Sequence, residues 1–590
     1  MLNLAAMHHR SDSEDCFGVS PDRLRLRFAT ASNEVATVHA LVGDPYLNYP
    51  DGQVRYREVA LDRLGSGQVH DYWGQTVQAP YHRLRYLFTV VGNDGDRWLF
   101  TALGPRRDDP AARGLAEHYF HMPYLHTIDQ VAPPEWVSET VWYQLFVERF
   151  ANGSLANDPP HTKPWQPQAH PSRTDFYGGD LQGVLDHLDD LEALGVNGLY
   201  FGPLFAAPSN HKYDTSDYYQ IDPAFGDKAL FAKVVQAAHD RGMRVMLDAV
   251  FNHLGQTALP WQDVLANGQR SRFAAWFHLH DWPLTPYRDP SKNEGRPQYD
   301  TFGFEATMPK LNTANPEVQD YLLAIATYWV KTFGIDAWRL DVANEIDHHF
   351  WRRFKAEMIA LRPDFYVLGE VWQSGQPWLN GGEFDGVMNY QFTRPILQHF
   401  LEGQLTPEAL CAQLIDHLMQ ARDVTNSAQL NLLDSHDTPR VMTIANGDRN
   451  AVVQALAFTF MQVGAPCLYY GTEMGMTGGA DPDNRKPMDW TRLHGELWRQ
   501  VAALVHLRRH YAALLGRGTT RLTTTTGGML QVTRRWQGQT LCGWFNTTTS
   551  SQPLQGTALL AQGFTDHYLA PQGFAIGLPD KLTAVPAPGA

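Results

Sequence analysis

Residues 1 to about 120 carry a two-residue rhythm of apolar and polar positions. Arg23–Phe28 (RLRLRF) alternates strictly, and Val35–Val42, Arg83–Val90 and Arg97–Leu103 are runs rich in β-branched and aromatic residues. The turn clusters Gly43-Asp44-Pro45, Pro50-Asp51-Gly52 and Asn93-Asp94-Gly95 separate them. Alternation sends successive side chains to opposite faces of a strand, so the pattern predicts an N-terminal β-sandwich over residues 1–122.

From Thr140 the rhythm changes. Short apolar runs now alternate with stretches of helical period, the signature of βα units around a parallel sheet. Eight candidate strands follow one another: Val141–Val147, Gly198–Leu204, Arg244–Phe251, Asp336–Val342, Tyr366–Val371, Gly386–Phe392, Gln429–Leu433 and Cys467–Gly471. Helical patterns lie between them, including Leu185–Leu194, Lys228–Arg241, Pro316–Phe333, Phe350–Leu361 and Asn450–Gln462. Eight units predict a (β/α)8 barrel of the TIM type, of class α/β, over residues 123–509. The long gap after the third strand predicts a small excursion domain, residues 252–315, over the barrel mouth. Past about 510 short β runs return (Arg521–Thr525, Met529–Arg535, Thr540–Phe545), predicting a C-terminal β-sandwich over 510–590 with an unstructured tail, AVPAPGA. No internal repeat is evident.

Composition narrows the chemistry. A chain of 590 residues exceeds one compact core, so two or three domains are expected. The net charge of −15 leaves no basic footprint for nucleic acid or an anionic membrane. The four cysteines (Cys16, Cys411, Cys467, Cys542) are scattered, which argues against a disulfide framework or a zinc site and for a reducing compartment. The N-terminal MLNLAAMHHRSDSED lacks the plan of a signal peptide, and no apolar run reaches the roughly 20 residues of a membrane helix. The expected location is the cytoplasm.

In such a barrel, reactive groups gather where strands end and loops begin. The third strand ends in Asp248-Ala-Val-Phe-Asn252-His253, the fourth in Arg339-Leu-Asp341, the fifth in Gly369-Glu370 and the seventh in Asp434-Ser-His436-Asp437. One acid at a loop start is most simply a solvated cap. Three acids from three strands, each inside an apolar run, are not. Asp341 follows Trp338 and Leu340 and should be buried, so it needs a partner. Arg339, two residues earlier, points the same way and can keep it ionised. Two carboxyl groups held in different protonation states are what glycoside hydrolysis requires. Asp341 would attack the anomeric carbon, and Glu370 would protonate the leaving oxygen and then activate water. Asp437 would favour the distorted ring, while His253 and His436 would hydrogen-bond its hydroxyls.

These strings closely match the alpha-amylase family of glycoside hydrolases. Its four signature regions resemble DAVFNH (248–253), WRLDVANE (338–345), GEVW (369–372) and LLDSHD (432–437). Within it, MPKLN (308–312), WRLDVANEIDHHFWRRF (338–354) and HKYDTSDYYQIDPAFGD (211–227) look like the neopullulanase, cyclomaltodextrinase and maltogenic amylase group. The resemblance implies a retaining α-glucoside hydrolase acting on α-1,4 and also α-1,6 bonds of cyclodextrins, pullulan, maltodextrins and starch, with transglycosylation as a competing outcome. It also implies a homodimer in which the N-terminal domain helps build the neighbour's cleft. By position, Tyr213 resembles the tyrosine stacked under the sugar. Asp481 and Arg485 resemble the pair gripping its far hydroxyls, and Trp372 and Phe302 resemble leaving-group contacts. Asn152, Ser154, Asn157 and Asp158, with Gly178 and Asp180, resemble the group's calcium loop, although Ser154 stands where that pattern carries Asp. The alternatives are an α-1,6-glucosidase or glucosyltransferase of the same family, and an inactive sugar-binding homologue. An inactive homologue would be expected to lack one of the three acids.

Overall fold

The computed structural model describes residues 2–50, 52–284, 298–565 and 567–584. Asp51 of the second turn cluster, residues 285–297 of the expected excursion and residues 585–590 of the expected tail lie outside them.

The N-terminal region forms two antiparallel sheets. One contains Cys16–Ser20, Arg23–Ala31, His70–Gln78 and Asp62–Ser66; the other is built on Val35–Gly43, Leu84–Gly92 and Arg97–Thr101. Alternate residues of each face inward, with Leu24, Leu26 and Phe28 meeting Val38, Ala40, Val42, Tyr86, Phe88 and Val90 in one core. That is the sandwich expected from the alternation.

The barrel strands are β1 (Trp142–Leu145), β2 (Gly198–Phe201), β3 (Arg244–Ala249), β4 (Ala337–Leu340), β5 (Tyr366–Gly369), β6 (Gly386–Val387), β7 (Leu430–Leu432) and β8 (Ala465–Tyr469). They pair in parallel in the order β6-β5-β4-β3-β2-β1-β8-β7, and a parallel bridge between Met388 and Leu430 closes the ring. Trp142, Tyr200, Met246, Tyr366, Met388 and Leu430 fill the interior. The outer faces of the strands pack against the surrounding helices. Asn315 caps the helix Pro316–Phe333, which stops at left-handed Gly334, the two ends expected from its sequence.

Three elements differ from expectation. The sixth strand was expected to reach Phe392, but it stops at Val387 and Tyr390–Phe400 is a helix. A short apolar run does not distinguish the two periods. The helix expected over Leu185–Leu194 is two, Leu181–Asp186 and Leu188–Leu194, divided at His187. The eighth strand begins two residues early, because Pro466 sits inside it in register with Asn431.

Bridges His253–Lys310, Phe277–Leu311 and Thr301–Pro309 knit the excursion together, and Lys310 pairs with Glu345 just past β4 at 2.6 Å. In the C-terminal sheet, Leu541 and Phe545 face the barrel core, while Cys542 and Trp544 face a separate core with Leu554, Leu569 and Leu582. Arg27 of the N-terminal domain donates to the Ala421 carbonyl at 2.7 Å and pairs with Asp423, joining that domain to the barrel. No helix among the described residues is long and apolar enough to cross a membrane.

Candidate active site

Strands β4 and β5 pair Leu340 with Gly369, so the next residues, Asp341 and Glu370, emerge side by side. The Glu370 amide still donates to the Leu340 carbonyl at 2.9 Å, and that of Asp341 to Ala249 of β3 at 3.0 Å. Backbone pairing therefore continues to Asp341 and Glu370, which fixes where their side chains begin.

Arg339 lies fully buried beneath them. Its Nη1 donates to both oxygens of Asp248 at 2.9 Å and to Asp341 Oδ1 at 2.7 Å. Its Nη2 lies 3.0 Å from Glu370 Oε2. Three carboxyl groups thus share one guanidinium, and like charges this close cannot all ionise freely. Burial raises the Asp341 carboxyl well above the carboxylate range, against the pull of Arg339. It pushes Asp248 up to about 6, again against Arg339. Arg339 is where it was expected, and its pull on Asp341 opposes the push of burial.

A second wall faces this cluster. Gln144 of β1 places its amide Nε2 2.8 Å from His436 Nδ1, so that ring nitrogen accepts and Nε2 carries the proton. Nε2 faces the Tyr213 hydroxyl at 2.5 Å and Asp437 Oδ2 at 3.1 Å. Burial keeps His436 neutral, its pKa well below the ordinary value, and lowers that of His253 to about 3. Both rings therefore act as hydrogen-bonding groups, not cations. The Tyr213 ring lies parallel to His436, within 6° at 5.4 Å, and its hydroxyl donates to Asp248 Oδ2 at 3.1 Å. The preceding Lys212 is left-handed (φ 65°), and its buried ammonium is pinned to Asp222 at 3.0 Å. Tyr213 is thereby carried on an anchored turn.

Arg485 links the remaining acids. Its Nη2 is 3.3 Å from Asp437 Oδ1, its Nη1 is 3.0 Å from Asp481 Oδ1, and its Nε donates to the His436 carbonyl at 2.8 Å. Trp372 donates its indole N–H to Glu370 Oε1 at 3.0 Å and stacks on Tyr390 at 3.9 Å, with 44% of its surface exposed. Phe302 stacks on His253 at 5.2 Å. The structure thus joins the eleven expected catalytic and sugar-contact residues through a chain of mutual contacts. Sequence reasoning passed over Gln144, Tyr200 and Tyr390, and it used Asp248 only as part of a motif. Gln144 carried a usable signal, a polar residue within the apolar run of β1.

The six oxygen-rich residues also converge, away from this cluster. Asn152 donates to Asp158 Oδ1 at 2.8 Å and Asn157 to Asp180 Oδ2 at 3.3 Å. Asp180 also caps the helix Leu181–Asp186 through Gly183 N at 2.7 Å. Ser154 accepts from Asn157 N at 2.9 Å. A Cβ on left-handed Gly178 would lie 2.2 Å from Asp158 Oδ1. The buried Asn152 Oδ1 has no hydrogen-bond partner.

Residues 144–512 match the family described as alpha amylase, catalytic domain, and residues 1–126 match the alpha amylase N-terminal ig-like domain. The chain is a glycoside hydrolase of the alpha-amylase family. Among its family relatives, a cyclomaltodextrinase of Geobacillus thermopakistaniensis (strain MAS1) is 46% identical over 86% of this chain and 85% of the relative. An intracellular maltogenic amylase of Bacillus subtilis (strain 168) is 44% identical over 88% and 86%. A solved cyclomaltodextrinase structure superimposes with TM-score 0.87 at 38% identity, covering 98% of both chains.

Proposed function

We propose that this alpha-amylase family enzyme hydrolyses α-1,4 bonds, and also α-1,6 bonds, of cyclodextrins, pullulan, maltodextrins and starch with retention of configuration. The observation that carries this is the in-register emergence of Asp341 and Glu370 from adjacent strands above one arginine. Neighbouring strands lie about 4.8 Å apart, close to the roughly 5–5.5 Å between carboxyls that retention needs. Asp341 forms the bond to the anomeric carbon while Glu370 passes its proton to the departing oxygen. Glu370 then takes a proton from water, which attacks the glycosyl ester and frees Asp341. His253, His436, Asp437, Asp481 and Arg485 hold the hydroxyls of the reacting glucose above Tyr213, and Trp372 and Phe302 flank the leaving sugar. The choice of substrates is supported by the activities for which its relatives are named. If the proposal is right, proton NMR of the first products from maltotriose and pullulan shows the α-anomer; β-anomer first would mean inversion.

Asn152, Ser154, Asn157, Asp158, Gly178 and Asp180 would hold a calcium ion through oxygens. The partnerless Asn152 Oδ1 and the cradle kept open by Gly178 fit a hard cation, which would brace this loop. We also propose a cytoplasmic homodimer. Its support is four free, buried cysteines and the exposed apolar side chains Tyr46, Leu47 and Tyr49 on the N-terminal domain. Light scattering at micromolar concentration should give twice the chain mass; monomer alone would remove the dimer.

A further inference from the structure

Directly after the nucleophile, Val342 adopts left-handed backbone angles, φ 47° and ψ 40°. Glycine and asparagine visit this region readily, but for a β-branched residue it is a true outlier, held only where the surroundings enforce it. They do so here. The Asp341 amide remains bonded to Ala249 before the turn. After it, the Ala343 carbonyl accepts from the buried Trp351 indole at 2.8 Å, Lys310 grips Glu345 at 2.6 Å, and Asp347 caps the next helix at Phe350 N, 2.8 Å away. The turn has the Val342 amide donating to Glu370 Oε2 at 2.8 Å, on the same oxygen that Arg339 Nη2 approaches at 3.0 Å.

We infer that Val342 is a positioning residue whose strained turn dedicates one oxygen of Glu370 to a backbone donor beside the Arg339 cation, so that the other oxygen, Oε1, carries the transferred proton. This rests on the acid/base reading of Glu370. The Val342 N–H on Oε2, with the Arg339 cation 3.0 Å away, suits a carbonyl-type acceptor and disfavours a proton there. Among the described residues Oε1 meets only the indole N–H of Trp372, a half-exposed side chain that an entering sugar can displace. In the first step the proton leaves Oε1 for the glycosidic oxygen, the C1–O bond breaks, and the Asp341–C1 bond forms. The electron pair of the broken bond stays with the protonated leaving group. In the second step a proton of the attacking water returns to Oε1.

The role separates from simple folding by its dependence on the leaving group. Maltotriose needs the proton, whereas α-maltosyl fluoride departs largely without it. Replacing Val342 by its α-hydroxy acid deletes the N–H and keeps the side chain. This should lower kcat/KM on maltotriose about tenfold and leave α-maltosyl fluoride within about threefold. Val342→Gly keeps the N–H but frees the turn, and should show the same selective loss at several-fold size. Equal loss on both substrates, or no loss on either, in whichever variant folds would overturn the inference. Glu370→Gln separates the two levels: a selective loss there supports the acid/base reading, and its absence removes that reading first.

Discussion

The two walls of the cleft are built differently. Asp248, Arg339, Asp341 and Glu370 stand on or one step past paired strands, and three of them meet the fourth within 3.0 Å. Tyr213, Asp437, Asp481 and Arg485 stand on the connections beyond the strands, and the Arg485–Asp437 pair is 3.3 Å long and more open to solvent. The first wall crowds three acids around one cation, an arrangement a fold tolerates only when rigid pairing leaves no escape. The second is a chain of linked contacts in which Arg485 serves two acids, Asp437 and Asp481, and it can shift to follow a sugar. Strands hold the electrostatically costly chemistry and loops hold the recognition, as expected when reactive geometry must be kept within fractions of an ångström.

That contrast can be broken from either side. The largest effect is expected from Asp341→Asn, which should cost more than about a thousandfold in kcat. Because one acid leaves an overcrowded cluster, its melting temperature should hold or rise. A variant that melts lower would mean that the three acids do not strain the site. On the loop wall, Asp481→Ala should raise KM about tenfold while kcat changes less than about threefold, since a hydroxyl contact made in both ground and transition states is lost. A kcat loss as large as that of Asp341→Asn would erase the distinction between the walls. The smallest effect belongs to the calcium loop. Chelation by EDTA should lower the melting temperature by about 2–4 °C, and calcium added back should restore it. A melt insensitive to both would leave the loop held by its own hydrogen bonds.

Legibility followed the same division. The strand-end acids could be named from their strings because a period of two and an apolar run say which way each side chain points. For Arg339 and Asp341 that direction alone predicts their contact, and it is found at 2.7 Å. The alternating strands of the sandwich, the bounds of the helix Pro316–Phe333 and the eight-unit count came from equally local rules. Other features were not local. Gln144 meets His436 across 292 residues, and Asp481 reaches the cleft through Arg485. Residues 390–392, the start of the helix Tyr390–Phe400, read as the end of the sixth strand because a short apolar run does not display its period.

By itself the chain dictated which residues alternate, where turns and caps fall, and which acids end up at strand termini, since backbone sterics and side-chain direction act over a few residues. Only the tertiary structure decided how many acids one arginine must serve, which histidine nitrogen bears a proton, and that Val342 is driven into a left-handed turn. Those are matters of burial and of partners hundreds of residues apart, and desolvation has no value until the chain has closed around the group.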